Sequence, residues 1–422
     1  MEIKVKSTQF IKPSNPTPQR LRGFKLSRLD QLAPPTYVDM IFYYKTTGHE
    51  VHDRCSQLIK SLSEVLNFYY PLAGRITRDM LQVDCTDQGV KYLETQVGIT
   101  LDDFLICGPK IEQVGQLICA PDIVTDALVT IQVNLFDCGS LVIGVSALHK
   151  VTDAYNLVRF INNWASMNRT GRSDAAYIPS FDNLATLFPP MEVSSLDHHP
   201  PNTLDAKPVI LTKSYVFNGA AISNLRAKAS SENSKHSRVT LVTALIWKAL
   251  ISIDQVKSGH GRDCLLAPAI MLRRKKGPPV SESSFGNVWV PYPIRFLDRT
   301  EPKFLDLVAL VEVTTRNMMS WLSKASGEEI CTQAKACYDE VDEELKQNKF
   351  SIITSWCRFG IYEADFGWGK PYWTSRSGSG TSHEMVTLMD DKDGNGIEAW
   401  VSLNEKVMHL FEQDQDIISS SS

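Results

Sequence analysis

The stretch Val129-Thr-Ile-Gln-Val-Asn-Leu-Phe136, followed by Asp137-Cys138-Gly139-Ser140 and then Leu141-Val-Ile-Gly-Val-Ser-Ala-Leu148-His149-Lys-Val-Thr-Asp153, decides how the chain is read. Two eight-residue apolar runs joined by a short Gly-containing connection have the length and composition of a buried β-hairpin. The apolar residues after the second run, Leu157, Val158, Phe160, Ile161 and Trp164, fall at helical spacing. Asp153 sits where a helix takes its N-cap or first-turn acid. His149 therefore ends a strand at a strand-to-helix turn, where a side chain can face a cleft. On the motif alone, a satisfied histidine capping the helix explains it equally well. A His-x-x-x-Asp spacing is also met by chance, and the chain holds a second one, His49-Glu-Val-His-Asp53, in a polar stretch. That one precedes an amphipathic helix over 52–67 whose apolar positions are Cys55, Leu58, Ile59, Leu62, Val65 and Leu66.

Outward from this core, a length of 422 residues predicts two domains, three at most, each able to bury its own core. With 43% hydrophobic and 22% charged residues the chain is of the ordinary globular kind, and its formal charge of −4 offers no general attraction to nucleic acid or anionic lipid. Nine cysteines without a Cys-x-x-Cys pair fit a reducing compartment. No stretch approaches the ~18 unbroken apolar residues of a membrane span, and no leader is evident at the N-terminus, so a cytoplasmic protein is expected. Residues 172–212 lose periodicity and are rich in Pro, Ser, Asp and His, which predicts a linker between an N-terminal domain, 1–171, and a C-terminal domain, 213–422. In the second half the pattern predicts helices over 219–230 and 239–252 and long helical stretches across 304–347. It also predicts a hairpin of strands 384–390 and 396–403 around Asp393-Gly394-Asn395-Gly396, then a final helix from near Asn404. Irregular alternation of helices and strands points to α/β or α+β with mixed sheets.

Other constellations carry less. Asp365-Phe366-Gly367-Trp368-Gly369 reads as a sharp turn, which needs no function to account for it. Arg273-Arg274-Lys275-Lys276-Gly277-Pro278-Pro279, ahead of Phe285-Gly286-Asn287, is either solvated charge or a contact for phosphates. Asp391, Asp393, Asn395 and Gly396 start like a calcium loop, but position twelve is Ser402 and the flanks read as strands, so no metal is expected. The signatures Gly-x-Ser-x-Gly, the P-loop, His-Glu-x-x-His and Gly-x-Gly-x-x-Gly after a strand are missing.

Taken in order, YPLAGR (70–75), the strand running into HKVTD (149–153), RRKKGPP with FGN (273–287) and TSWCR with DFGWGKP (354–371) resemble the plant BAHD acyltransferase family along nearly the whole chain. PSNPTPQ (13–19) and SRVTLVTALIWK (237–248) are similar to its alkaloid-acylating branch. The resemblance implies a two-domain, chloramphenicol-acetyltransferase-like (CoA-dependent acyltransferase) α/β fold with mixed sheets and a channel between the domains. It implies a monomer that acetylates a hydroxyl of a small alkaloid, of the monoterpenoid indole type, from acetyl-CoA. It makes His149 the catalytic residue, Asp153 an orienting residue pointing away from the reaction, and the DFGWG turn structural, with Asp365, Gly367 and Gly369 held by a pair between Asp365 and Arg273. The family often has Gly after the motif's aspartate; this chain has Ala154.

From the chemistry of the residues, a neutral imidazole with a pKa near ~6.5 is suited to taking a proton from an alcohol as it attacks a thioester. Asn287 is then the candidate donor to the oxyanion, and a thiolate of pKa ~8.5 leaves unaided by any metal. No cysteine beside a histidine offers an acyl carrier, so direct transfer is expected. Ser237, Lys248, Arg274, Lys275 and Lys276 are candidates to meet CoA, with solvated surface charge an equal account of each. Malonyl-CoA is the alternative donor, although FGN only partly matches the YFGNC of the malonylating branch. A non-catalytic protein holding a small ligand on this fold is the rival from another class.

Overall fold

The computed structural model describes residues 1–45, 51–106, 108, 110–119, 127–181, 184–191, 209–229, 236–261, 263–273, 280–297, 301–346, 350–378 and 384–421. The deciding stretch forms the antiparallel strands Val129–Phe136 and Leu141–Leu148, joined through Gly139 at φ 84°. Every residue of Leu141–Leu148 is buried, which is why the run does not alternate. The strand lies inside a six-stranded mixed sheet ordered Ile3–Ile11, Val90–Val97, Val129–Phe136, Leu141–Leu148, Tyr37–Tyr44 and Trp373–Ser375. Only the Val90–Val97 and Val129–Phe136 pair runs parallel. Gly144 interrupts the apolar run because a Cβ there would stand 2.5 Å from the Leu117 carbonyl oxygen. The helices Val51–Val65 and Ala154–Thr170 pack on each other, and Trp164 Nε1 donates to the Leu58 carbonyl at 3.2 Å.

The second six-stranded sheet runs Ile294–Phe296, Cys264–Ala267, Phe350–Ser355, Met385–Asp390, Ile397–Asn404 and Ile210–Phe217. The Cys264–Ala267, Phe350–Ser355 and Met385–Asp390 strands are parallel and the other pairings antiparallel. The 391–396 turn has Gly394 at φ 75°, as the Asp-Gly-Asn-Gly sequence requires. Asn404 N-caps Glu405–Phe411. Arg238–Ser258, expected to end at 252, continues to a left-handed cap at Gly259. Its length and composition would allow a membrane crossing, yet most of its apolar residues are buried in this unit, Trp247 completely.

The chain divides into two units in a way the sequence did not predict. One unit is Met1–His198 with Val280–Val288 and Phe359–Gly380; the other is His199–Pro279, Trp289–Arg358 and Thr381–Ser422. A split into 1–171 and 213–422 therefore misses two returns of the chain, which carry Asn287 and the Asp365–Gly369 turn into the unit of His149. Nor is all of 172–212 a linker. Phe188 is fully buried, the Phe188 and Pro189 carbonyls accept from Arg28, and Ile210–Phe217 is an edge strand of the second sheet.

Candidate active site

His149 follows directly on the buried strand Leu141–Leu148, and its N–H donates to the Thr36 carbonyl at 2.8 Å. Four residues on, Asp153 takes the N-cap of Ala154–Thr170. One carboxylate oxygen accepts from Asn156 N at 2.9 Å and the other from Val288 N at 3.1 Å. Asp153 is thus engaged by its own helix and by the segment carrying Phe285-Gly286-Asn287. That segment is clamped again by Asn156, whose Nδ2 donates to the carbonyls of Ser284 at 3.1 Å and Gly286 at 2.9 Å.

The clamp brings Asn287 onto the histidine. Asn287 Oδ1 lies 2.9 Å from His149 Nδ1, and Asn287 Nδ2 donates to the His149 carbonyl at 2.6 Å. Behind the amide sits a buried carboxylate that sequence reasoning missed. Asp30 Oδ1 accepts from Asn287 N at 2.6 Å and from Nδ2 at 3.0 Å, and Oδ2 accepts from Ser27 N at 2.9 Å and Ser27 Oγ at 2.7 Å. Ser27 and Asp30 form the capping box of the short helix Arg28–Leu32. Lys150, also buried, donates to the Gln31 carbonyl.

Because Asn287 Oδ1 can only accept, His149 Nδ1 is the donor in their hydrogen bond and the ring lone pair sits on Nε2. Burial pushes the His149 pKa below the ordinary 6.5. Its backbone, Asp153 and Asn287 work in the opposite sense, and the nearby Arg376 adds to the lowering. Arg376 is held by Asp39 through Nη2 at 2.7 Å and Nε at 3.2 Å. Burial raises the Asp30 carboxyl to about 6 against the pull of its hydrogen bonds, and lowers Lys150 to about 8. The result is a neutral imidazole with its lone pair on Nε2, held by a chain of groups on the 27–32, 149–156 and 284–288 segments.

Two expectations need correcting. Asn287 is not arranged as an oxyanion donor: its Nδ2 already serves the His149 carbonyl and Asp30 Oδ1, and its backbone N–H serves Asp30 Oδ1 as well. Asp365 pairs with Arg169 at 3.2 Å, not with Arg273, because it lies against the last turn of Ala154–Thr170. Asp365 also accepts from Gly367 N and Gly369 N, both at 2.9 Å, and the two glycines have φ of 109° and 99°. Phe366 is buried edge-on against Trp164 and Tyr44. Of the residues proposed to meet CoA, Ser237 is engaged as the N-cap of Arg238–Ser258 and Lys248 pairs with Asp416 at 2.9 Å. Arg274, Lys275 and Lys276, like His49, lie outside the described residues. Among the described residues no group of His, Cys, Asp and Glu could hold a metal ion.

The chain is similar to known proteins along nearly its whole length. A limonoid 21-O-acetyltransferase of Melia azedarach is 35% identical over 437 residues, covering 100% of this chain and 99% of the relative. Vinorine synthase of Rauvolfia serpentina is 32% identical over 417 residues, covering 96% and 95%. The crystal structure of vinorine synthase matches with a TM-score of 0.85 at 29% identity, over 100% of this chain and 99% of that one. That of F. sporotrichioides TRI101 complexed with coenzyme A and T-2 matches at 0.72 with 15% identity, and shares the fold. The family model described as "Transferase family" covers residues 1–418, and the chain belongs to that family, the BAHD acyltransferases.

Proposed function

We propose that this acyltransferase moves an acetyl group from acetyl-CoA to a hydroxyl of an alkaloid-type small molecule, with His149 as the general base. The observation that carries the base assignment is the 2.9 Å contact of Nδ1 with an atom that can only accept, Asn287 Oδ1. It fixes the tautomer whose Nε2 can take a proton. In this reading Nε2 removes the acceptor's hydroxyl proton while the oxygen attacks the thioester carbonyl. The tetrahedral intermediate collapses by breaking the C–S bond, and the imidazolium returns its proton to the departing CoA thiolate. Asn287 Oδ1 accepts from Nδ1 before and after the proton arrives, so the ring need not reorient. With the Asn287 donors committed, the charge on the carbonyl oxygen falls to other groups.

Acetyl rather than malonyl is favoured because Ser284 and Val288 flank FGN in place of the fuller YFGNC. Alkaloid-type acceptors are favoured by the sequence likeness at 13–19 and 237–248 and by relatives such as vinorine synthase and salutaridinol 7-O-acetyltransferase of Papaver somniferum. A limonoid hydroxyl is the second reading, supported by the 35% identity to the Melia azedarach enzyme. For CoA, the Arg274–Lys276 run supplies the charge that phosphates need, while Ser237 and Lys248 already have structural partners. Nine cysteines without a Cys-x-x-Cys pair are the usage of a reducing compartment, which supports a cytoplasmic enzyme.

The test is to offer the purified chain labelled acetyl-CoA or malonyl-CoA with a panel of hydroxylated alkaloids and limonoids, and to identify products by mass. An acetylated alkaloid is expected. A malonylated product overturns the donor, an acetylated limonoid alone overturns the acceptor, and no thiol release with any partner returns the chain to the non-catalytic reading.

A further inference from the structure

An amide side chain has two ends of nearly equal size, and only one of them makes His149 a base at Nε2. If Asn287 presented Nδ2 to the ring, Nδ1 would have to accept, the proton would move to Nε2, and the nitrogen proposed to act would lose its lone pair. Something must decide which end faces the histidine. The acceptors on Nδ2 are the His149 carbonyl at 2.6 Å and Asp30 Oδ1 at 3.0 Å, and Asp30 Oδ1 also takes the Asn287 backbone N–H at 2.6 Å. The carboxylate therefore grips Asn287 at two atoms. Its own orientation is set by Ser27 N and Oγ on Oδ2.

The turn is shaped for this grip. Gly286 has φ 124°, and a Cβ on it would stand 3.0 Å from Asp30 Oδ1 and 3.3 Å from Oδ2. The glycine of Phe-Gly-Asn is thus the residue that lets a buried carboxylate reach the asparagine beside it. Asp30 is completely buried, and burying its carboxylate costs desolvation that these hydrogen bonds offset. The charged groups facing the assembly are Lys150 beside Asp30, and Asp153 and Arg376 beside His149.

We propose that Asp30 is a positioning residue for the transfer reaction: by holding the Asn287 amide with Oδ1 toward His149, it fixes the tautomer that leaves the lone pair on Nε2. The inference rests on His149 being the base, but its test does not depend on turnover. In the full chain labelled with 15N-histidine, the two ring nitrogens report directly which one bears the proton, and the His149 signals are assigned by their loss in His149→Gln. The wild type is expected to show a single neutral tautomer, protonated at Nδ1. In Asp30→Asn, the well-separated Nδ1 and Nε2 positions are expected to exchange or average.

If Asp30→Asn does not fold, Ser27→Ala serves. Losing the Ser27 Oγ hydrogen bond raises the pH at which the Asp30 carboxyl takes a proton, above the about 6 it has now. The exchange of the two neutral-ring nitrogen positions on acidification, told apart from ring protonation because the imidazolium carries a proton on both nitrogens, then begins at higher pH. Unchanged 15N positions in Asp30→Asn, or an unshifted acid transition in Ser27→Ala, overturn the proposal. Thiol release from acetyl-CoA that survives in His149→Gln instead overturns the base assignment and leaves the tautomer result standing.

Discussion

Two turns in this unit are built from the same chemistry, an aspartate collecting backbone N–H groups, and only one of them carries a reactive group. Asp365 gathers Gly367 N and Gly369 N and adds an ion pair with Arg169, whose side chain is 49% exposed. What the turn presents inward is Phe366 in an aromatic cluster. Asp153 and Asp30 gather Asn156 N, Val288 N and Asn287 N, and what they hold in place is an amide against an imidazole. The difference lies in burial and in the reach along the chain. The backbone N–H groups that Asp365 collects lie within five residues of one another, and its distant partner is the half-exposed Arg169; Asp30 collects the N–H of a residue 257 positions away, in the interior. A turn whose distant tie is a half-exposed ion pair to a neighbouring helix is a brace; one whose buried carboxylates hold an amide against an imidazole positions something.

Substitutions at matching positions should separate the two. Asp153→Ala removes a cap, about 1 kcal/mol, and strands the buried Val288 N–H, about 1–3 kcal/mol more; thermal unfolding and turnover should both fall. Asp365→Ala should cost about 2 kcal/mol for two lost hydrogen bonds and leave kcat in place. A loss of turnover in a folded Asp365→Ala protein would erase the distinction. Among the glycines, Gly286→Ala should cost about 1–3 kcal/mol of strain. It should also lower kcat by up to about 10²-fold, the scale of a misplaced catalytic group, since its Cβ would press on Asp30. Gly367→Ala, whose nearest neighbour would be Arg169 Cα at 3.6 Å, should show the strain without the loss of rate.

The pH profile sharpens the same contrast. As the proposed base, His149 must be neutral to act, and burial holds its pKa below 6.5. The kcat/KM plateau should therefore extend down to about pH 6.5 and fall only below it, where the ring gains its proton. A midpoint above 6.5 would contradict the partly buried, neutral imidazole, and Asp365→Ala should leave the profile unmoved. The smallest effect belongs to Lys248→Ala. Its pair with Asp416 is partly solvated, so stability should change by about 0–1 kcal/mol, with little change in the KM for acetyl-CoA. A large rise in that KM would restore Lys248 as a phosphate contact.

Much of this was legible because it is local. The hairpin at 129–148, the helix after Asp153 and the hairpin around Asp393-Gly394-Asn395-Gly396 follow from apolar periodicity and turn chemistry, each contained in a few dozen residues. His149 and Asn287 were both singled out as site residues, and the structure brings them together. What they do to each other was not readable, because the direction of an amide depends on acceptors elsewhere in the fold. Ser27-Arg-Leu-Asp30 has the spacing of a capping box, a visible signal, but nothing local shows that its carboxylate also holds Asn287. The returns of 280–288 and 359–380 to the first unit were missed for the same reason, as was the choice of Arg169 over Arg273 as the partner of Asp365.

The central claim is that His149, kept neutral and with its lone pair on Nε2, is the base of the transfer. The most direct measurement is the rate of CoA thiol release from acetyl-CoA, with the acceptor found in the product screen, for wild type and His149→Ala side by side with their melting temperatures. A loss of about 10²–10⁴-fold in kcat at an essentially unchanged melting temperature is the predicted result. A folded His149→Ala protein that turns over near the wild-type rate would contradict it.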